Sequence, residues 1–135
     1  MKYRILIVSA NYYTDISNNL LKDAKTTLKS KAKYQIINVP GVFEIPVIIA
    51  KNIKKYHGFI ALGCVIKGET PHFDFISQAT TNAIMNLSIT HKKPIGNGIL
   101  TCLNYDQAKS RAATNGKKRK GREATQAVLQ ILDAK

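Results

Sequence analysis

The chain reads as an α/β protein, a three-layer sandwich in which helices cover both faces of a four-stranded parallel sheet. Three observations predict this. Strand-like apolar runs alternate from end to end with longer stretches whose apolar residues recur at helical spacing. The apolar runs are nearly continuous, as strands covered on both faces require. The unusual polar clusters each follow one of these runs, which puts them at the carboxyl ends of the strands, where parallel sheets bind ligands.

The elements follow in order. Residues 3–9 (Tyr-Arg-Ile-Leu-Ile-Val-Ser) form the first strand, and Ile16, Leu20, Leu21, Ala24 and Leu28 trace the first helix. Residues 34–39 make the second strand, ended by Pro40-Gly41, and residues 45–56 the second helix, with Pro46 in its first turn. The third strand, residues 58–66, breaks at Lys67-Gly68. Thr70 as cap and Pro71 in the first turn then open a helix to about residue 91, with Phe73, Ile76, Thr80, Ala83, Ile84 and Leu87 on one side. Residues 95–103 are the fourth strand, weakened by Gly96 and Gly98. Helical segments at about 105–113 and 118–132 complete the chain. No repeat, linker or low-complexity tract interrupts it, so residues 1–135 are expected to form one domain.

With 135 residues, 44% of them hydrophobic, the chain can bury a full core without staples. Cys64 and Cys102 lie in apolar strand-like runs and read as buried free thiols; two cysteines without nearby histidines make no zinc site. The start, Met1-Lys2-Tyr3-Arg4, leads straight into a strand, and no long apolar segment follows. A cytoplasmic protein with neither signal peptide nor membrane span is expected. The balance of 21 Lys and Arg against 8 Asp and Glu, a net charge of +13, suits nucleic acid, an anionic membrane or a phosphorylated substrate. Most of the basic residues lie along helices, as on a solvated face. The one dense run, from Lys117 to Arg122, lacks aromatic residues for base stacking and reads as a solvated helix start. Nucleic acid is therefore the weaker partner.

The stretch Leu62-Gly63-Cys64-Val65-Ile66-Lys67-Gly68-Glu69-Thr70-Pro71-His72-Phe73-Asp74 carries the most chemistry. It places His72, whose side chain titrates near neutral pH, beside free N–H groups at a helix start that favour an anion. A proton carrier and a phosphate-sized anion site thus meet at a strand end, although a helix-start histidine can also be merely solvated. Glu44, before the second helix, is either a ligand contact or a charge favoured at a helix start. Tyr12 and Phe43 can be core residues or, at strand-end loops, platforms on which a planar heterocycle stacks. Arg111, after an apolar turn, is uninformative alone. His57 and His91, near helix ends among lysines, read as surface residues.

Two long segments carry a resemblance. Val39-Pro40-Gly41-Val42-Phe43-Glu44-Ile45-Pro46 resembles the V-P-G-A-F-E-I-P of the lumazine synthases, and Leu62 to Asp74 is similar to their L-G-x-V-I-R-G-x-T-x-H-x-D. Gln107-Ala108 and Arg111-Ala112 match the family's E-Q-A-x-x-R-A, in the same order along nearly the whole chain. The resemblance implies a flavodoxin-like sheet of order 2-1-3-4. It also implies the penultimate step of riboflavin biosynthesis, a transferase reaction without metal or organic cofactor. In that step 5-amino-6-(ribitylamino)uracil condenses with 3,4-dihydroxy-2-butanone 4-phosphate, releasing phosphate and water. By resemblance, Tyr12 stacks on the pyrimidine, Val42, Phe43 and Glu44 hold the ribityl chain and ring, and Cys64, Val65 and Ile66 offer backbone groups to the ring. Glu69 and Thr70 cradle the phosphate, Arg111 binds it through a fork of donors, and His72 carries protons.

The chain departs from the family at three places. Lys67 replaces an arginine. Asn97 stands where an aromatic from a neighbouring subunit commonly covers the pyrimidine. The loop after Arg111 is one residue longer, leaving the phosphate-side lysine among residues 117–120 unassigned. The resemblance further implies a site shared between subunits of a ring of five, Asn97 of one chain facing Phe43 and His72 of the next. A start close to the first strand and the basic loop at 114–121 lead to the expectation of a single homopentamer rather than a shell of twelve rings. Two rival readings stand beside this one: a nucleic-acid-binding α/β domain, and a family member that only binds flavin-like ligands.

Overall fold

The structure, a computed structural model, describes residues 2–134. It contains β1 (Arg4–Ala10), α1 (Thr14–Leu28), β2 (Lys33–Val39), a single 3-10 turn (Val42–Glu44), α2 (Ile45–Asn52), β3 (Gly58–Ile66), α3 (His72–His91), β4 (Ile95–Cys102), α4 (Tyr105–Arg111) and α5 (Lys120–Asp133). The four strands pair in parallel in the order β2-β1-β3-β4, the expected topology.

Alternation along each strand divides the core into two layers. Ile5 and Ile7 of β1, with Ile60, Leu62 and Cys64 of β3, meet Ile16, Leu20, Ala24 and Leu28 of α1 and Ala124 and Val128 of α5. Leu6, Val8 and Ala10, with Phe59 and Ala61, face the other way onto Ile45 and Ile49 of α2 and Ile84 of α3. Both faces of β1 and β3 are thus covered, which is why these strands are apolar at nearly every position. Burying each Ile, Leu or Phe contributes about 1.5–3 kcal/mol. β4 forms despite its glycines, which admit α5. A Cβ on Gly96 would lie 2.4 Å from the Ala124 carbonyl oxygen.

Several boundaries shift for identifiable reasons. The second helix stops at Asn52 rather than reaching Tyr56. Tyr56 turns into the core against Phe59, ring centroids 6.0 Å apart, and Lys93 Nζ donates to the carbonyls of Ile53 and Tyr56. The third helix begins at His72, with Pro71 as its N-cap residue; the Thr70 hydroxyl accepts from the His72 N–H at 3.3 Å. Ala112 and Arg119 pair as an antiparallel bridge, so α4 ends at Arg111 and α5 starts at Lys120. No helix among the described residues is long and apolar enough to cross a membrane. Cys64 and Cys102 are free and buried, as expected.

Candidate active site

The strand order reverses between β1 and β3, and the loops leaving the carboxyl ends of the strands gather around that switch point. The Asn11 N–H donates to the Val39 carbonyl at 3.1 Å, carrying the ladder one residue beyond β1 before the chain turns. Tyr12 then projects outward, 74% exposed, with Tyr13 beside it edge-on at a centroid distance of 4.9 Å. Tyr13 is half-buried, and burial first of all raises its phenol above the ordinary value. Ser17 ties the start of α1 to the Ala10 carbonyl through a 2.6 Å hydrogen bond.

After β2, Val42 is the buried foot of the 3-10 turn, while Phe43 stands 59% exposed above it. Tyr12 and Phe43 are therefore not core residues. Each presents an aromatic face to solvent, where a planar ring can stack. Glu44 occupies the N-cap position of α2 and folds back over Gly41. At the end of β3, Cys64 is buried, and Val65 and Ile66 are half-buried. The Lys67 N–H donates to the Cys102 carbonyl at 2.9 Å, and the chain then runs exposed from Lys67 to His72. His72 opens α3 as an exposed side chain at that same edge.

Arg111 comes in from the β4 side. Its guanidinium lies against Cys102, Nη1 to Sγ 3.7 Å, at one wall of an open pocket of about 400 Å³. Lys117, Lys118, Arg119, Lys120 and Glu123 line the same pocket with Ile99, Leu100 and Thr101 of β4. A concave surface with this excess of cations suits a dianion such as a phosphate ester. Cys64, pushed up to about 12 by burial first and then by Cys102, stays a neutral thiol. Among the described residues, no group of histidine, cysteine and carboxylate side chains is arranged to hold a metal ion.

Asn97 is kept away from the strand ends by its own chain. It sits on β4 level with Ala61 of β3, five residues short of the strand end at Cys102 and roughly 16 Å from it along the strand. Its side chain is spent locally, Oδ1 accepting from the Ile99 N–H at 3.1 Å.

The basic run is a helix start with Lys117, Lys118 and Arg122 exposed, as expected, but the structure corrects that reading for Arg119 and Lys120. Arg119 is an ion-pair partner of Asp23, whose side chain is 2% exposed, and Lys120 lies 3.6 Å from Glu123. The hydrogen bond to Asp23 raises the Arg119 guanidinium above its ordinary value, opposed by partial burial. Asp23 escaped the sequence reading, yet a signal existed: a lone carboxylate on the apolar side of α1, next to Ala24. Tyr13 and the 3.0 Å hydrogen bond from Tyr105 to Asp15, which ties the start of α4 to that of α1, were also missed. Nothing local marks them.

The family model for 6,7-dimethyl-8-ribityllumazine synthase matches residues 2–135. The chain belongs to the lumazine synthase family. It is 47% identical over 139 residues to the 6,7-dimethyl-8-ribityllumazine synthase of Bartonella henselae, an alignment covering 99% of this chain and 89% of that one. It is 42% identical over 142 residues to the enzyme of the same name from Agrobacterium fabrum, covering 99% and 95%. A Rhodopseudomonas palustris relative, 6,7-dimethyl-8-ribityllumazine synthase 1, is 42% identical over 140 residues, covering 98% and 85%. The chain has lumazine synthase activity and serves riboflavin biosynthesis.

Proposed function

We propose that this chain performs the lumazine synthase reaction at the carboxyl edge of its sheet, the described fold acting as one catalytic domain. 5-Amino-6-(ribitylamino)uracil and 3,4-dihydroxy-2-butanone 4-phosphate condense to 6,7-dimethyl-8-ribityllumazine, losing phosphate and water. One observation carries the assignment. Tyr12, Val42 to Glu44, Cys64 to Ile66 and Glu69 to His72 follow the carboxyl ends of β1, β2 and β3, and Arg111 reaches Cys102 at the end of β4, so all of them sit at one edge of the sheet.

Tyr12 stacks on the pyrimidine. Val42, Phe43 and Glu44 hold the ribityl chain and ring, while the backbone at Cys64, Val65 and Ile66 reads the ring edge. Glu69 and Thr70 cradle the phosphate through backbone N–H groups, and Arg111 with the lysines of its pocket balances the dianion. Amine attack on the ketone, elimination of phosphate and ring closure each move a proton; His72, exposed at the helix start, gives and takes it. No step calls for a metal or an organic cofactor, and two free buried thiols suit a cytoplasmic location. Mixing the pure protein with both substrates and following lumazine fluorescence, with and without a chelator, tests the reading. Product formed equally in both supports it; no product from fresh substrates at neutral pH removes it.

The functional unit is a homopentamer in which Asn97 of each chain faces Phe43 and His72 of the next. Three observations support this. Tyr12, Phe43 and His72 stand exposed on one chain, Asn97 lies far down its own β4, and Val47, Phe75, Met85 and Ile89 leave apolar surface uncovered on α2 and α3. Lys117 and Lys118 stand exposed on the loop where rings would meet, which disfavours a shell. Light scattering at moderate ionic strength decides between them: a mass of about five subunits is expected, and one of about sixty sinks the single ring.

A further inference from the structure

The anion pocket is held in place from below. Arg111 ends α4, Lys120 begins α5, and the eight residues between them carry Lys117, Lys118 and Arg119. A loop of that length and charge would spread if left alone, since its cations repel one another. Two contacts keep its ends together on the body of the protein. The Ala112–Arg119 bridge closes the loop at its stem, so Arg111 and Lys120 are each one residue from a fixed pairing. Asp23, buried on α1, then anchors that stem. Its carboxylate accepts from Arg119 Nε at 3.2 and 3.3 Å and from Nη2, and from the Arg122 backbone N–H at 3.1 Å.

Asp23 therefore does two things with one side chain. It caps α5 from another helix, where Arg119 at the N-cap position offers no side-chain cap of its own. It also ties the Arg119 guanidinium to α1 at the wall of the pocket, leaving Arg111 and the lysines as the cations there without a buried carboxylate partner. The approach of α5 to α1 is close enough that a Cβ on Gly121 would lie 2.5 Å from the Leu20 carbonyl oxygen. The anchor is thus rigid on the α1 side.

We infer that Asp23 is a positioning residue for the phosphorylated substrate: through Arg119 and the start of α5 it sets the spacing of the cations opposite Arg111. This rests on the reading of that pocket as the phosphate site. The test measures kcat, KM for each substrate and the Kd of inorganic phosphate in the parent, Asp23→Asn, Arg119→Gln, the double variant and Arg111→Ala. A 1 Å misplacement can cost up to about 100-fold, and the stem bridge still limits the drift. Asp23→Asn should therefore raise KM for the butanone phosphate and the phosphate Kd together, by about five- to tenfold. kcat and KM for the pyrimidine should stay within about twofold, a split that general destabilisation does not produce. Arg119→Gln should act in the same direction, and the double variant should be no worse than the larger single effect, because the two residues work as one unit. Arg119 is partly exposed, so its variant carries the test if Asp23→Asn does not fold. Unchanged or tighter phosphate binding in both variants, equal losses for both substrates, or additive losses in the double variant overturns the positioning role. If Arg111→Ala leaves phosphate binding intact, the pocket assignment falls and the positioning role falls with it.

Discussion

Gly63 on β3 sits under the Val42–Glu44 turn, and its replacement by alanine should reach the proposed ring site through one contact. A Cβ there would lie 2.6 Å from Val42 Cγ1 and 3.0 Å from the Ala10 Cβ. Carbon atoms pack comfortably at about 3.5–4.0 Å, so Val42 must withdraw by about 1 Å. Val42 is the 5%-exposed foot of the 3-10 turn, with Phe43 and Glu44 directly above, so the turn moves with it. Overpacking of this kind costs about 1–3 kcal/mol and should lower Tm by several degrees, roughly 2–8 °C per kcal/mol for a domain near this size. The larger effect is on function: a 1 Å displacement of positioned groups lowers kcat/KM by about 10- to 100-fold. Steady-state lumazine formation at saturating butanone phosphate measures it, with the loss concentrated in KM for the pyrimidine. Adding Val42→Ala removes the clashing methyl and should restore most of the activity. A folded Gly63→Ala protein with parent kinetics, or a double variant with no recovery, would refute the reasoning.

Other expectations follow from single residues. His72→Ala should lower kcat by about 10-fold or more, with both substrates still bound; single-turnover rates equal to the parent's would remove His72 as the proton carrier. Tyr12→Ala should weaken pyrimidine binding by about 5- to 10-fold, the worth of roughly 1 kcal/mol of aromatic stacking, as read from competition by a pyrimidine analogue. Cys64, raised from 9.0 to about 12, binds its proton more tightly folded than unfolded. Its contribution to stability is therefore complete below pH 9 and is lost as pH rises toward 12. Urea midpoints should fall between pH 8 and pH 10.5, and less steeply in Cys64→Ala; equal slopes would contradict the burial argument.

Much of this protein was determined by its sequence alone. Periodicity is local, so continuous apolar runs at residues 3–9 and 58–66 meant strands covered on both faces, and β3 came out at Gly58–Ile66 as expected. The two long segments, Val39 to Pro46 and Leu62 to Asp74, carried the family, because turn chemistry and side-chain chemistry are written together in them. Where side chains point was a tertiary matter. Tyr12 and Phe43 could have been core or platform until Val42 took the buried place in the turn and left Phe43 outside. Tyr56 left the helical pattern because a core position and the Lys93 ammonium compete with the helix for that segment. The pairing of Asp23 with Arg119 joins residues 96 positions apart, and no local rule couples such distant groups. Only the packing of α5 against α1 decided that one cation of the basic run, Arg119, is tied to a buried carboxylate while Lys117 and Lys118 stay exposed.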